Sequence, residues 1–151
     1  IYEELLEEAN NSGLIVREKT LSGSDGLIYR NRIAISNRLK TSAEKACVLA
    51  EEIGHHHTAV GDIFDLQDIE NMKQEQKGRL HGYNRMIGLR GIISAFNAGC
   101  QNRYEVAEHL HVTEEYLQEA IDCYKGKYGE YITVDNYVIY FIPNLAVMEM
   151  I

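Results

Sequence analysis

Apolar residues recur along the chain with a period that changes several times, and each change marks an element. Leu5, Leu6 and Ala9 share one side of a predicted helix over residues 2–11, which Asn11-Ser12-Gly13 ends. Leu14-Ile15-Val16 is a short β-prone run. After the loop Ser22-Gly23-Ser24-Asp25-Gly26, the runs Leu27-Ile28-Tyr29 and Ile33-Ala34-Ile35 flank Arg30-Asn31-Arg32 and predict a β-hairpin with a tight turn. From residue 43 the spacing becomes 3 and 4: Ala43, Ala46, Cys47, Ala50 and Gly54 form a narrow face of small residues. Thr41-Ser42-Ala43-Glu44 is a capping box, in which hydroxyl and carboxylate each satisfy a free backbone N–H. The helix it opens runs to about residue 57, before Val60-Gly61-Asp62.

Beyond that point the pattern predicts one or two helices over residues 66–84 and another over 88–98. Val106-Ala107, Leu110, Val112-Thr113, Leu117 and Ala120-Ile121 have the spacing of a helix-turn-helix, with Thr113 capping its second helix. Residues 131–134 and 137–142 flank Asp135-Asn136 as a second hairpin, so the tail has a winged-helix-like order. The fold class is α+β, with a core over residues 1–86 that carries a small sheet and a helical tail over residues 87–151.

The 151 residues are 45% hydrophobic and 25% charged, enough for a packed core. No apolar run approaches the roughly 20 residues needed to cross a bilayer. The acidic, amphipathic start Ile1-Tyr2-Glu3-Glu4-Leu5-Leu6 has no basic segment and does not read as a signal peptide. Cys47, Cys100 and Cys123 are odd in number and widely spaced. They read as small buried hydrophobes rather than as disulfides or ligands, and the expected location is the cytoplasm. The net charge of −8 disfavours sequence-independent binding to phosphate. Residues 99–128 hold three cations against six carboxylates, a net of −3, so the helix-turn-helix pattern reads as a packing or protein-interaction unit and not as a DNA reader.

Chemistry concentrates in Glu51-Glu52-Ile53-Gly54-His55. On a helix, residues i and i+4 lie about 40° apart around the axis and about 6 Å apart along it. Glu51 and His55 therefore point the same way and can share one metal, while Glu52 points to one side, within reach of a water but not as a ligand. This is the geometry of an HExxH zinc helix, whose intervening glutamate is a general base. Two readings compete. Glu51-Glu52 can be solvated helix charge, and His55-His56-His57 a polar helix end favoured by the C-terminal dipole; or the metal pair can be Glu52 and His56, which have the same spacing.

The stretch Leu49-Ala50-Glu51-Glu52-Ile53-Gly54-His55-His56 with Val60-Gly61-Asp62 resembles ImmA/IrrE-type metallopeptidases of phages and mobile elements of Gram-positive bacteria. The resemblance extends to Gln74-Glu75-Gln76-Lys77, Asn102-Arg103-Tyr104-Glu105-Val106-Ala107 and Val112-Thr113-Glu114-Glu115, and covers roughly residues 1–130. It implies a zincin-like core in which His55 is a metal ligand, Glu52 the catalytic base and Glu75 the downstream acidic ligand. Glu51 stands where that family has its first histidine. A carboxylate oxygen reaches zinc at the same distance as an imidazole nitrogen, so Glu51 can serve as the third ligand. The ligand shell then sums to zero charge with a divalent ion, which acidifies water less and shifts preference from zinc toward harder ions such as manganese.

The resemblance further implies a metal-dependent endopeptidase whose partner is a helix-turn-helix repressor, with no direct nucleic-acid or membrane partner. Two alternatives are a degenerate peptidase that binds the repressor without cutting it, and a DNA-binding regulator using residues 102–124. His81 reads as a surface residue, or as a donor to a substrate carbonyl. Asp62 reads as a turn former, or as a partner that orients a histidine.

Overall fold

The computed structural model describes residues 1–58 and 69–151. Asp62, with Val60 and Gly61, lies outside the described residues. The fold is α+β, with two three-stranded sheets. The chain divides into two compact units, Ile1–Arg85 and Met86–Ile151; the sequence places this division after residue 86. No helix among the described residues is long and apolar enough to cross a membrane.

In the first unit, α1 (Tyr2–Asn11) buries Tyr2, Leu5 and Ala9. The first sheet has the order β1-β3-β2, with β1 at Ile15–Lys19, β2 at Gly26–Tyr29 and β3 at Arg32–Ser36. The predicted hairpin is β2 paired antiparallel with β3, and β1 runs parallel to β3 on its other side. As the central strand, β3 supplies the buried Ile33 and Ile35, whose period of two puts both on one face. The first run is longer than its apolar letters suggest: Arg17, Glu18 and Lys19 continue the strand, because pairing to β3 holds them extended whatever their own preference.

Helix α2 (Ser42–Thr58) crosses this sheet and packs against α1 as well. Its start is the expected capping box. Glu44 N–H donates to Thr41 Oγ1 at 3.1 Å, and Thr41 N–H donates to Glu44 Oε1 at 3.3 Å. The buried face contains Ala46, Cys47, Leu49, Ala50, Ile53 and Gly54. Among the described residues the next helix is α3 (Ile69–Met86).

Two glycines set how closely α2 and α3 approach. A Cβ placed on Gly54 would run into the Gly78 carbonyl, and one placed on Gly78 would run into the His55 ring. Gln74 Nε2 donates to the Thr58 carbonyl at 3.2 Å, tying the free C-terminal end of α2 to α3. At the other end of α3, the Arg85 guanidinium grips both Glu8 carboxylate oxygens from α1.

The second unit contains α4 (Gly88–Asn97), α5 (Arg103–Leu110) and α6 (Glu114–Tyr128). Thr113 caps α6 as expected, accepting from Tyr116 N–H at 3.0 Å, and Asn102 caps α5, accepting from Glu105 N–H at 2.9 Å. His111 in the turn adopts a left-handed conformation with φ of 58°. The predicted hairpin is β4 (Tyr131–Val134) with β5 (Tyr137–Tyr140). A further strand, β6 (Ala146–Glu149), pairs antiparallel with β5 and completes the sheet order β4-β5-β6. Its short Ala-Val-Met-Glu run has only four residues and no clear apolar alternation, so the sequence pattern does not reveal it. Of the three free cysteines only Cys47 is buried; Cys100 and Cys123 are half-buried, which corrects the expectation that all three are core residues.

Two tests follow from this packing. Gly54→Ala or Gly78→Ala forces a methyl into a backbone or an imidazole, and each should destabilise the protein by about 1–3 kcal/mol in denaturant unfolding; a change below about 0.5 kcal/mol, the scale of an inconsequential surface substitution, would refute the close crossing. The Glu8–Arg85 pair gives a pH signature. Hydrogen bonding from Arg85 holds the Glu8 carboxyl below its ordinary value of 4.5, against the opposing effect of burial. A carboxylate with a depressed native pKa stabilises the fold above its unfolded pKa and loses that contribution as pH falls through the native one. The stability advantage of wild type over Glu8→Gln should therefore be constant above about pH 5 and shrink toward zero as pH drops well below 4.5.

Candidate metal centre

On α2, Glu51 and His55 share one face and Glu52 the neighbouring one, because each residue advances the helix by about 100°. The first face looks toward α3. There Glu75 comes up beside His55, at a point where Gly78, one turn further on, leaves room for the imidazole. His55 Nε2 lies 3.5 Å from Glu51 Oε1 and 3.3 Å from Glu75 Oε1. One ligand-type atom from each of Glu51, His55 and Glu75 lies within 4.8 Å of the other two. The second face carries Val48 and Glu52 toward β2, where the missing side chain of Gly26 accommodates both.

The spacing suits a metal. Two ligands at 2.0–2.1 Å from a tetrahedral ion stand roughly 3.3–3.4 Å apart, close to both distances from His55. The donor set of two carboxylates and one imidazole fits a divalent cation, and its three groups leave a fourth position free. Glu51, His55 and Glu75 can therefore hold a metal ion. The alternative pairing of Glu52 with His56 is not part of any such three-residue cluster among the described residues.

A cation stands beside the two carboxylates of the cluster. Arg79, one turn after Glu75, places its Nε 3.5 Å from Glu51 Oε1 and 3.6 Å from Glu75 Oε1. Hydrogen bonding to Glu51 holds the His55 pKa above its ordinary value despite burial, and the charges of Glu75 and Glu52 add to the effect. The same hydrogen bond holds Glu51 low, again against burial and with help from Arg79. The Arg79 guanidinium, and His55 whenever it is protonated, offset the two carboxylates. Glu52 is left over: it is 9% exposed, and burial pushes its carboxyl up to about 7, with the negative charges of Glu51 and Glu75 raising it and His55 pulling it down. A carboxyl near 7 can both accept and return a proton at neutral pH.

Arg79 and Gly78 are the residues that sequence reasoning missed. Arg79 stands at i+4 from Glu75, a spacing that puts it on the same helical face and so gives a signal in retrospect. Gly78 gives no signal, since its role lies in contact with another helix. His56 and His57 lie in the last turn of α2, as the polar-helix-end reading expects. His56 is half-buried and outside the cluster, while the exposed His57 ring lies tilted against His81 with ring centroids 5.3 Å apart. His81 is half-buried and lines a cavity of about 320 Å³ with Leu5, Ile53 and His57; none of Glu51, His55 and Glu75 lines that cavity. Burial, then the charge of His57, lowers the His81 pKa. His81 is thus partly exposed and lines a cavity that the cluster residues do not line.

No family model matches the chain, and neither a curated protein nor a solved structure matches it at a significant level. The geometry of the cluster therefore stands on its own.

Arg79 offers a direct test of the centre. A divalent ion and a guanidinium compete for the same two carboxylate oxygens. Arg79→Gln should therefore tighten zinc or manganese binding several-fold in calorimetry, whereas Glu75→Gln should weaken it by more than ten-fold. Equal affinity in all three proteins would place the ion elsewhere.

Proposed function

We propose that this protein is a metal-dependent endopeptidase of the ImmA/IrrE type, with a zincin-like core and a winged-helix-like tail, acting in the cytoplasm. The observation that carries the reading is the convergence of Glu51, His55 and Glu75 beside a buried Glu52 whose carboxyl titrates near neutrality. Glu51, His55 and Glu75 would hold the ion, most readily zinc, with the extra carboxylate making manganese an alternative. When bound, such an ion acidifies water and polarises a carbonyl.

The chain's own residues supply the rest. Glu52 takes the proton from the water that attacks the scissile carbonyl and returns it to the departing amine. Its burial against β2 keeps its basicity well above that of an exposed carboxylate. Strand β2 is the last strand of its sheet, and its backbone has no strand partner on the outer side among the described residues. An extended substrate can pair with that edge, next to the helix that carries Glu52. Leu27 and Tyr29, 54% and 61% exposed, stand there to meet its side chains. The resemblance supplies the substrate class, a helix-turn-helix repressor of a phage or mobile element.

A second reading is favoured by Arg79. A guanidinium that already pairs with both carboxylates partly offsets their charge without a metal, as expected of a degenerate peptidase that binds the repressor without cutting it. Use of residues 102–124 to read DNA is the weakest reading, since that segment is net acidic.

Turnover separates these readings. The full chain, loaded with zinc or manganese, is incubated with a helix-turn-helix repressor of a phage or mobile element, and the products are read by mass spectrometry. The peptidase reading expects one discrete cut, lost in Glu52→Gln with metal binding retained. Glu51→His should tighten zinc binding about ten-fold or more by restoring a two-histidine shell of higher charge. A stable complex with an intact repressor would instead establish the binding protein.

A further inference from the structure

The second unit contains a groove of about 590 Å³ between α4, α5, α6 and the segment leading into β6. That volume lies within the roughly 300–1,000 Å³ typical of ligand sites. Ile92, Val106, Ile121 and Phe141 give it an apolar floor. Phe96 also lines it and is 41% exposed, a large apolar ring left facing water.

The groove's charge is opposite to that of the chain. The sequence carries 23 carboxylate residues against 15 Lys and Arg, yet among the described residues none that lines the groove is acidic, while Arg103 and Lys125 both do. Neither cation forms an ion pair among the described residues. Arg103 is nonetheless held in place: its guanidinium donates to the Gln118 carboxamide oxygen, and Gln118 in turn donates to Asp122 Oδ1 at 3.0 Å. An oriented guanidinium and a second cation beside an apolar floor match a ligand that is apolar at its centre and anionic at its flanks.

The wall points to a polypeptide. Ala146 and Val147 of β6 form part of it, and β6 ends its sheet, so its backbone has one side without a strand partner among the described residues. Free backbone donors and acceptors beside apolar pockets suit an extended peptide. We propose that this groove docks an acidic peptide segment bearing aromatic or branched aliphatic side chains, contributed by a protein partner. The proposal does not depend on the metal centre, because every residue it uses lies in the second unit.

The test uses the full chain, immobilised, to select from a displayed library of random dodecapeptides. The recovered pool should be enriched in Asp and Glu interspersed with Phe, Ile or Leu. A fluorescein-labelled consensus peptide from that pool should bind the chain, and added salt should weaken it. The double variant Arg103→Glu, Lys125→Glu should weaken binding roughly ten-fold or more, because two attractive charges become repulsive. Ala146→Trp, at an exposed wall position, should block the groove by bulk alone, with thermal unfolding unchanged in both variants. If the double variant unfolds, Ala146→Trp decides by itself. The proposal is overturned by a pool that is neutral or basic, by failure to recover any binding pool, or by equal binding to the folded variants. Displacement of the peptide by duplex DNA would also overturn it, assigning the groove to nucleic acid.

Discussion

Helices α2 and α3 meet where neither has a side chain to interpose. Gly54 on one helix faces the Gly78 carbonyl of the other, and Gly78 in turn leaves the space that the His55 ring fills. The distances that give the cluster its chemistry follow from this contact. With a methyl at either glycine the helices would stand further apart, and Glu75 would no longer lie 3.3 Å from His55 Nε2. The features around it reinforce the same approach. Gln74 closes the end of α2, and Arg85 fastens the far end of α3 to α1. The glycine in the Glu-Glu-Ile-Gly-His stretch is therefore a packing requirement of the centre and not a spacer between its ligands.

That close approach also dictates the electrostatics. Glu51 and Glu75 are forced together in a partly buried space where like charges repel, and the structure answers with a raised His55 and with Arg79. Glu52, one position along the helix, faces the sheet, where burial outweighs the pull of the His55 charge, and its carboxyl rises to about 7. Adjacent glutamates in the sequence thus acquire opposite properties. One is held ionised and suited to a cation, the other is poised to exchange a proton. The difference arises from which helical face each occupies.

The second unit separates charge in a similar way. Residues 99–128 are net acidic as a string of letters, but folding places Arg103 and Lys125 on one groove and keeps the carboxylates off its lining. A net charge summed along a segment says little about any one surface of it, because a helix presents residues a few positions apart to different environments.

Local rules determined much of this protein from the sequence alone. The capping box at Thr41, the Thr113 cap, the two hairpins and the small-residue face of α2 depend on residues within a turn of one another, so the sequence pattern contains them. The shared face of Glu51 and His55 follows from helix period by the same reasoning. Contacts between distant segments belonged to the tertiary structure. It brought Glu75 to His55 across 20 positions, set Gly78 beneath the imidazole, placed Arg79 beside both carboxylates and put His81 in the lining of a cavity that the cluster does not line. It also extended β1 through Arg17 and Lys19 and added β6, since a strand's neighbours can impose what its own residues do not prefer. Period and capping act over one helical turn, whereas the approach of α3 to α2 is fixed by packing over the whole unit, which no local pattern encodes.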